Sequence, residues 1–339
     1  MLKLLGKIYG LGADLRNTLY DRGVLKSHSL GARTISVGNI TTGGTGKTPL
    51  VAYIAEVLAG AGEKVCILTR GYGRQDPRGR VLVSDGRDVL VDATTGGDEP
   101  VELARKLIGK AFVVADPNRV SAAAWAKEKF DVSVFVLDDG FQHRRAKRDL
   151  DIVCIDATDP FSGGRIIPAG NLREPIENLT RADAIVLMRS DLIDSAGDLL
   201  ANISSLNPTA AMFRSCSKLQ PVIALSEFLE PKRSGSTFDP NTTTLAFCGL
   251  GNPDGFFSSL RKNGYKVEAL ETFRDHHFYT QKDVENLEQK ARERGISTLL
   301  TTGKDAVKLR GLNFSVACFV IEIKLEIENE DVFRRLVIS

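Results

Sequence analysis

The sequence has no strong excess of charge of either sign. Among its 339 residues, 45 are Lys or Arg and 43 are Asp or Glu, which gives a formal net charge of +2. A general nucleic-acid-binding protein carries a basic excess, so this near balance predicts no nucleic-acid partner. Any anionic ligand must therefore be bound by a local group of cations.

Paired cysteines and long apolar runs are also missing. The five cysteines are scattered, and most lie inside apolar runs such as KVCILT and DIVCID. This spacing fits neither a disulfide framework nor a metal cluster, so we expect buried thiols in a reducing compartment. No apolar run approaches the roughly 18 residues of a membrane-spanning helix. The sequence therefore predicts no helix that crosses a membrane.

The N-terminal stretch 1–23 lacks the uninterrupted apolar core of a secretory signal, because charged residues and glycines interrupt it. Its apolar residues recur instead at helical spacing and form one stripe flanked by cations. The stripe, called the apolar stripe below, consists of Leu4, Ile8, Leu11, Leu15 and Leu19. Two interpretations stay open: this first helix packs on its own domain, or it lies on an anionic membrane surface.

Short β-branched runs alternate with helical stretches along the chain. The runs are RTISVGN, KVCILTR, AFVVAD, VSVFVLDD, LDIVCIDA and DAIVLMR. Because strands of a parallel sheet are buried on both faces, they read as such continuous apolar runs, and we predict an α/β fold. Pro, Ser and Gly gather between Leu206 and Pro240, which places a boundary near residue 218. The prediction is a larger domain, 1–218, and a smaller α/β domain, 219–339.

The stretch SVGNITTGGTGKTP nearly matches a phosphate-binding loop. The pattern GxxxxGK[ST] asks for glycine at the position of Thr41. The physical requirements are met nonetheless, because a strand delivers the chain, glycines open the backbone and a helix follows. Lys47 can reach the β- and γ-phosphates, and Thr48 can bind Mg²⁺. We predict a P-loop NTPase-type sheet whose nucleotide site is Thr42, Gly43, Gly44, Thr45, Gly46, Lys47 and Thr48.

A second acidic motif supports a nucleotide site. Asp138 and Asp139 end the apolar run VSVFVLDD, about 90 residues after the loop. An acidic residue at the end of a neighbouring strand holds Mg²⁺ or its water in P-loop enzymes. We therefore predict that Thr48, Asp138 and Asp139 form the magnesium site.

Three classes of P-loop protein fit these features: GTPase switches, partitioning ATPases and small-molecule or lipid kinases. Partitioning ATPases carry a signature lysine one residue before the paired glycines, where this chain has Thr42. GTPases read guanine with an Asn/Thr-Lys-x-Asp element, whose nearest, imperfect equivalent is TTGKDAV, with Thr302 and Asp305. The two switch classes stay as the alternative to a kinase.

Seven motifs occur in order along the chain: GNITTGGTGKTP, LTRGYGR, GDEP, DPNR, LDDGFQHRR, PAGNLREP and RDHHFY. With them the chain resembles the tetraacyldisaccharide 4'-kinases, the lipid A 4'-kinase family, from about residue 1 to residue 310. DDGFQHR and LREP are specific to this resemblance, whereas the phosphate-binding loop alone is not. The resemblance implies transfer of the γ-phosphate of ATP to the 4'-hydroxyl of tetraacyldisaccharide 1-phosphate. The product is lipid IVA, a step of lipid A biosynthesis.

The same resemblance implies a location and a set of site residues. It implies a peripheral protein on the cytoplasmic face of the bacterial inner membrane, with the apolar stripe on the anionic membrane surface. The residues implied for the lipid substrate are Arg119, Gln142, His143, Arg144 and Arg173. Asp98 is implied as catalytic base and His276 as its partner, beside the catalytic Lys47.

Two consequences follow for the arrangement of the site. Because neighbouring side chains on regular structure face different directions, His277 is not expected to join His276 on one ion. Lys47 belongs to the first domain and His276 to the second. The active site is therefore expected between the domains, which close around ATP and lipid during turnover.

Overall fold

The computed structural model describes residues 1–230 and 237–339. Residues 231–236, part of the Pro/Ser/Gly-rich stretch used to place the boundary, lie outside the described residues. The helices are α1 Leu2–Asp21, α2 Lys47–Gly60, α3 Ala93–Gly96, α4 Asp98–Lys106, α5 Arg119–Phe130, α6 Ala196–Leu206, α7 Leu225–Leu229, α8 Pro253–Lys262, α9 Gln281–Glu293, α10 Gly303–Ala306 and α11 Glu330–Ile338. Short 3₁₀ turns occur at Ser162–Gly164, Ile176–Arg181 and Ser190–Leu192.

The strands follow the apolar runs of the sequence. They are β1 Arg33–Gly38, β2 Val65–Thr69, β3 Val81–Ser84, β4 Ala111–Ala115, β5 Val134–Asp138, β6 Leu150–Asp156, β7 Ala184–Met188, β8 Ala211–Leu219, β9 Ile223–Ala224, β10 Thr244–Cys248, β11 Val267–Thr272, β12 Thr298–Thr302, β13 Ala317–Ile321 and β14 Ile323–Ile327. All six runs of the first domain are strands, which confirms the predicted α/β fold.

The larger sheet has nine strands in the order β14-β8-β7-β6-β1-β5-β2-β4-β3. Neighbours from β8 to β4 pair in parallel, whereas the edge strands β14 and β3 pair antiparallel. Every residue of β2, β5, β6 and β7 is buried, because helices cover both faces of a parallel sheet. Their carboxyl ends meet at one edge, where ligands of open α/β sheets bind.

The smaller sheet has five strands in the order β11-β10-β12-β13-β9. Four of them are parallel, and β9 pairs antiparallel with β13. The run ACFVIEIKLEI, expected within the smaller domain, divides at Glu322 between β13 in this sheet and β14 in the larger one. The last strand therefore returns to the larger sheet, while the division of the chain into domains at residue 218 stays a prediction.

We call the part of the chain around the nine-stranded sheet the larger unit and the part around the five-stranded sheet the smaller unit. Helix α1 packs against the larger unit through small residues. A Cβ atom added to Gly6 would lie 2.8 Å from the Ile166 carbonyl oxygen, and one added to Gly10 would lie 2.7 Å from Ile166 Cδ1. Two buried glycines one turn apart thus let the helix approach closely. The apolar stripe points away from this contact, since all its members except Leu19 are exposed. The first helix therefore packs on its own domain through its glycine face, while the apolar stripe takes little part in that contact.

The cysteines and the helix lengths can be compared directly with the expectations from composition. Cys66, Cys154, Cys248 and Cys318 are buried free thiols and Cys216 is half-buried, so the prediction of unpaired cysteines is confirmed. Within the described ranges, every helix is either too short or too polar to cross a membrane.

Candidate active site

The phosphate-binding loop connects β1 to the first turn of α2 at the carboxyl edge of the larger sheet. Gly46 has φ 84°, a conformation that favours glycine, and a Cβ atom there would also lie 2.8 Å from the end of the Met188 side chain, which would have to move. The Asn39 amide donates to Thr45 Oγ1 at 2.8 Å and fixes the loop from inside. The position of the missing motif glycine is buried and forms a β-bridge with Leu172. Thr41 is therefore compatible with the loop.

Lys47 begins α2 and faces the aspartates that end β5. Its Nζ lies 3.5 Å from Asp139 Oδ1. Arg173 Nη1 lies 2.8 Å and 2.7 Å from the two Asp139 oxygens. Burial raises the pKa of Asp139, but the charges of Lys47 and Arg173 outweigh it and lower that pKa below the usual aspartate value. Asp139 is therefore an anion held between two cations of the predicted site.

Asp138 is in a different environment. Its carboxylate is buried and accepts a hydrogen bond of 2.9 Å from Thr69 Oγ1. Burial and the negative charges of Glu99 and Asp139 raise the pKa of Asp138 to about 6. A second positive charge in front of this carboxylate would reverse that shift, so Asp138 is suited to bind a cation.

The donors of the predicted magnesium site fit the ion chemically. Thr48 offers a hydroxyl, Asp138 and Asp139 offer carboxylate oxygens, and all three line one cavity. Mg²⁺ prefers such oxygen donors and is commonly held by one or two carboxylates together with substrate phosphates. In residues 1–230 and 237–339 no group of three or more His, Cys, Asp or Glu could hold a metal by itself.

Asp98 and His276 lie together although Asp98 begins helix α4 of the larger unit and His276 follows strand β11 of the smaller unit. His276 Nδ1 is 2.9 Å from each carboxylate oxygen of Asp98. The hydrogen bond raises the pKa of His276, against the opposite effect of burial. Burial raises the pKa of Asp98, but the His276 hydrogen bond and two lysine ammonium groups outweigh it and hold that pKa at about 2. The contact thus keeps Asp98 ionised and makes the His276 imidazole a stronger base.

The two lysines around Asp98 were not predicted. Lys304 Nζ lies 3.0 Å from Glu99 and 2.9 Å from Asp275, and Lys308 Nζ lies 3.4 Å from Asp98 Oδ2. They belong to TTGKDAVK, whose first part was compared with a guanine-reading element. The structure uses this segment to surround Asp98 with charge. The close spacing of Lys304, Asp305 and Lys308 directly after the buried strand β12 is the signal that could have identified it.

Arg189 and Asp156 were also missed at the phosphate-binding loop. Arg189 donates through Nε to Asp156 at 3.0 Å and through Nη2 to the Gly44 carbonyl oxygen at 2.8 Å. Asp156 also accepts from the Asn252 amide at 3.1 Å, and Asn252 belongs to the smaller unit. A single Asp at the end of one strand and a single Arg after the end of another form no recognisable sequence motif. Together they connect the loop to both units.

The residues implied for the lipid substrate have several different environments. Arg119 is buried, and its guanidinium donates to the backbone carbonyls of Asp116 and Asp138. Gln142 donates to the Asn39 carbonyl at 2.8 Å and to Glu174 at 2.7 Å. Both residues therefore use these donors to hold the site together.

His143 and Arg144 are neighbours in sequence but lie on different sides of the cavity wall. His143 lines the cavity, and burial together with nearby arginines lowers its pKa to about 4, so the imidazole is neutral. Arg144 lies outside the cavity lining and instead donates to the Asn17 carbonyl at 3.0 Å and to Asp21 at 2.7 Å. This arginine fastens helix α1, which corrects the expectation that it faces the substrate.

A cavity of about 1000 Å³ connects these groups. It is lined by the predicted nucleotide-site residues, by the two aspartates after β5, by His276 and by Tyr9, Gly12, Ala13 and Arg16 of helix α1. Asp98 is 2% exposed and lies behind His276, outside the lining. The cavity therefore offers space for a nucleotide and a second substrate, with the imidazole at its wall.

Comparison with known proteins gives a consistent result. The family model "Tetraacyldisaccharide-1-P 4'-kinase" matches residues 1–339. Tetraacyldisaccharide 4'-kinase of Halothermothrix orenii is 36% identical over 97% of this chain and 89% of its own, and that of Chlorobium phaeovibrioides is 40% identical over 92% and 87%. The crystal structure of LpxK from Aquifex aeolicus in complex with ATP has 33% identity and a TM-score of 0.75, covering 98% of this chain and 96% of that one.

Proposed function

Because the chain belongs to the Tetraacyldisaccharide-1-P 4'-kinase family, we propose that its cavity holds ATP at the phosphate-binding loop and the acylated disaccharide in front of His276. The chain is an ATP-dependent kinase of lipid A biosynthesis whose acceptor is the 4'-hydroxyl of tetraacyldisaccharide 1-phosphate. The observation that carries the assignment of the site is the single cavity that joins the loop glycines to His276.

The nucleotide phosphates lie on the backbone N–H groups of the loop and at the N-terminus of α2, where the helix dipole favours negative charge. Lys47 leaves Asp139 and turns to the β- and γ-phosphates, a short movement for a flexible side chain that is 3.5 Å from its present partner. Its charge then stabilises the transferring phosphoryl group. Arg173 remains on Asp139 and keeps that carboxylate ionised.

The Thr48 hydroxyl and the carboxylates of Asp138 and Asp139 would hold Mg²⁺, and the bound ion would supply positive charge against the charge that develops on the phosphate oxygens. Replacing Thr48 by Ala or Asp138 by Asn should raise the Mg²⁺ concentration needed for half-maximal rate. Asp131→Asn is a matched control, since this aspartate pairs with Lys64 on the surface and its side chain is 89% exposed.

The proton of the sugar hydroxyl passes to the Asp98 and His276 pair. Since Nδ1 of His276 contacts Asp98, Nε2 is the ring nitrogen left for a substrate in the cavity. A neutral imidazole accepts the proton at Nε2, and the ionised Asp98 stabilises the imidazolium that forms. Asp98 thus serves as base through His276, in line with its burial behind the ring.

The acylated substrate lies in a bilayer, and helix α1 brings the cavity to it. One part of the helix lines the cavity with Tyr9, Gly12, Ala13 and Arg16, while the apolar stripe is exposed. A helix with an apolar face and flanking cations binds at the surface of an anionic membrane. The protein then works peripherally at the cytoplasmic face of the inner membrane.

Incubation with ATP labelled at the γ-phosphate and with tetraacyldisaccharide 1-phosphate tests the proposed function. The labelled lipid is separated by thin-layer chromatography and its phosphate located by mild acid hydrolysis, which releases an anomeric phosphate first. We expect label at the 4'-position, dependent on Mg²⁺ and on Asp98. Folded protein that binds ATP but labels no lipid would contradict it, and activity retained by Asp98→Asn would contradict the assigned pair.

A further inference from the structure

A buried lysine joins the two units directly behind the proton-accepting pair. Lys308 follows α10 of the smaller unit, and its side chain is 1% exposed. Its Nζ lies 3.4 Å from Asp98 Oδ2 on α4 of the larger unit and 3.1 Å from Asp305 Oδ1. The two carboxylates are themselves 2% and 0% exposed. An ammonium group is thus enclosed between two buried carboxylates that come from opposite sides of the cleft.

Asp305 is well satisfied by its own unit. It accepts hydrogen bonds from Tyr279 OH at 3.0 Å, from Thr302 Oγ1 at 2.7 Å and from the Gly249 N–H at 3.1 Å. These donors fix the Asp305 carboxylate, which in turn fixes the Lys308 ammonium. The direction in which Lys308 is held is therefore set within the smaller unit, and Asp98 is the partner that the larger unit adds.

We propose that Lys308 is a positioning residue for the phosphoryl transfer, which keeps Asp98 ionised and oriented toward His276 when the smaller unit lies against the larger one. This inference rests on the proposed role of the Asp98 and His276 pair. In this arrangement the smaller unit supplies the positive charge of Lys308 to Asp98 of the larger unit. Closure of the cleft and activation of the base are then the same event.

The charges around Asp98 agree with this role. The charged and titratable groups beside Asp98 are His276, Lys304 and Lys308. These three groups are in turn in contact with Glu99, Asp275, Tyr279 and Asp305. Lys304 is engaged by Glu99 and Asp275, which leaves Lys308 as the lysine in contact with the carboxylate itself. Both lysines favour the ionised form and lower the pKa of Asp98.

The pH profile of kcat/KM distinguishes this role from a purely structural one. Lys308→Met removes the charge with little change of volume, and we expect the acidic limb to move to higher pH by about one unit or more, since a cation within about 4–6 Å lowers a carboxyl pKa by about 1–3. Lys308→Arg keeps the charge and should keep the limb near its original position. Because Asp98 and His276 titrate as a coupled pair, the limb is compared between variants and is assigned to the pair.

Two controls make the result decisive. Lys106→Met removes a half-buried lysine that pairs with Glu102 on its own helix and with Glu322 between β13 and β14, and it should lower stability without moving the limb. The double variant Lys308→Met with Asp305→Asn removes cation and partner together, so no buried carboxylate is left unpaired if the single variant fails to fold. Because the ammonium is the group in contact with Asp98, we expect the double variant to keep an upward displacement.

A wild-type limb in Lys308→Met, or its full return in the double variant, would overturn the proposal and leave Lys308 as the counterion of Asp305. Asp98→Asn is measured alongside. If that variant keeps full activity, the proposed proton acceptor itself is wrong. If it is inactive while the Lys308 variants have unchanged profiles, only the present inference fails.

Discussion

His276 Nδ1 lies 2.9 Å from both carboxylate oxygens of Asp98, across 178 residues of sequence. His276 has φ 60°, a left-handed conformation that is uncommon for residues other than glycine. Asp98 follows Gly97, which has φ 91° and whose added Cβ would lie 2.7 Å from the Tyr72 carbonyl oxygen. Both segments of the chain thus have a positive φ angle where they meet, and such backbone conformations cluster at functional sites.

The first prediction is that Asp98 and His276 act as one unit. Asp98→Asn and His276→Gln should each lower kcat by about 10²–10⁴-fold, the usual contribution of general acid-base catalysis. The double variant should be little worse than either single one, since groups that act together are strongly non-additive. Steady-state kinetics with saturating ATP measures the three values.

His277→Gln is the matched control for this experiment. His277 Nε2 lies 3.2 Å from Asp283 and the ring stacks on Phe273, away from Asp98. Its replacement should leave kcat within about twofold, as expected of a residue outside the reacting groups. Losses that multiply in the double variant would instead show that Asp98 and His276 have separate roles.

The second prediction concerns the pH dependence of stability. The folded-state pKa of His276 is raised by Asp98, so the stability that protonated His276 contributes is fully present below its unfolded pKa and is lost as pH rises through the folded pKa. The folded-state pKa of Asp98 is about 2, so its contribution persists down to acid pH. Urea unfolding of wild type and His276→Gln should therefore differ more at pH 6 than at pH 9. A difference that grows with pH would contradict this.

Much of the fold could be predicted because parallel strands carry a strong signal. The runs that became β1, β2, β4, β5, β6 and β7 are apolar throughout, since both faces of the sheet are covered. The phosphate-binding loop could also be recognised, because its geometry depends on glycines and on the start of one helix, all local in sequence. Such features need no knowledge of distant contacts.

Features that depend on distant partners could not be predicted in the same way. Arg144 follows two predicted substrate residues in DDGFQHRR, yet it faces helix α1, and only the docking of Asn17 and Asp21 shows this. Glu322 divides one apolar run between two sheets. The partner of Lys308 in the larger unit is Asp98, which lies 210 residues away in sequence. In each case tertiary packing determines the contacts of the residue, and these contacts cannot be read from the local sequence pattern.

The third prediction is that Lys47→Ala lowers kcat by at least about 10²-fold, because a positive charge on the transferring phosphoryl group is lost. Its present contact with Asp139 is a single ion pair, and Asp139 keeps Arg173 as a partner, so the variant should fold normally. Lys64→Ala removes a lysine whose side chain is 59% exposed and paired with Asp131, and it should retain full activity. Turnover near the wild-type rate in folded Lys47→Ala would contradict the assignment of the phosphate-binding loop.

The last prediction is that replacing Leu4, Leu11 and Leu15 by Ser releases the protein from anionic vesicles without unfolding it. Their exposed fractions are 63%, 70% and 62%, so little packing is lost in the folded protein, and exposed substitutions usually change stability by less than about 0.5 kcal/mol each. Each leucine buried in a bilayer contributes roughly 1.5–3 kcal/mol, so three replacements should shift the partition decisively. Vesicle flotation measures binding, and thermal unfolding measures the fold.

A variant that loses two exposed apolar side chains elsewhere separates membrane contact from general hydrophobicity. Leu90 and Ile108 are 47% and 50% exposed and lie outside helix α1, so their replacement by Ser should leave flotation unchanged. The triple variant should also lose activity toward lipid in vesicles while keeping it toward the same lipid in detergent micelles, because the cavity residues are intact. If the triple variant floats like wild type, another surface holds the membrane. If it unfolds, the leucines stabilise the chain itself, and the membrane role of the apolar stripe is wrong.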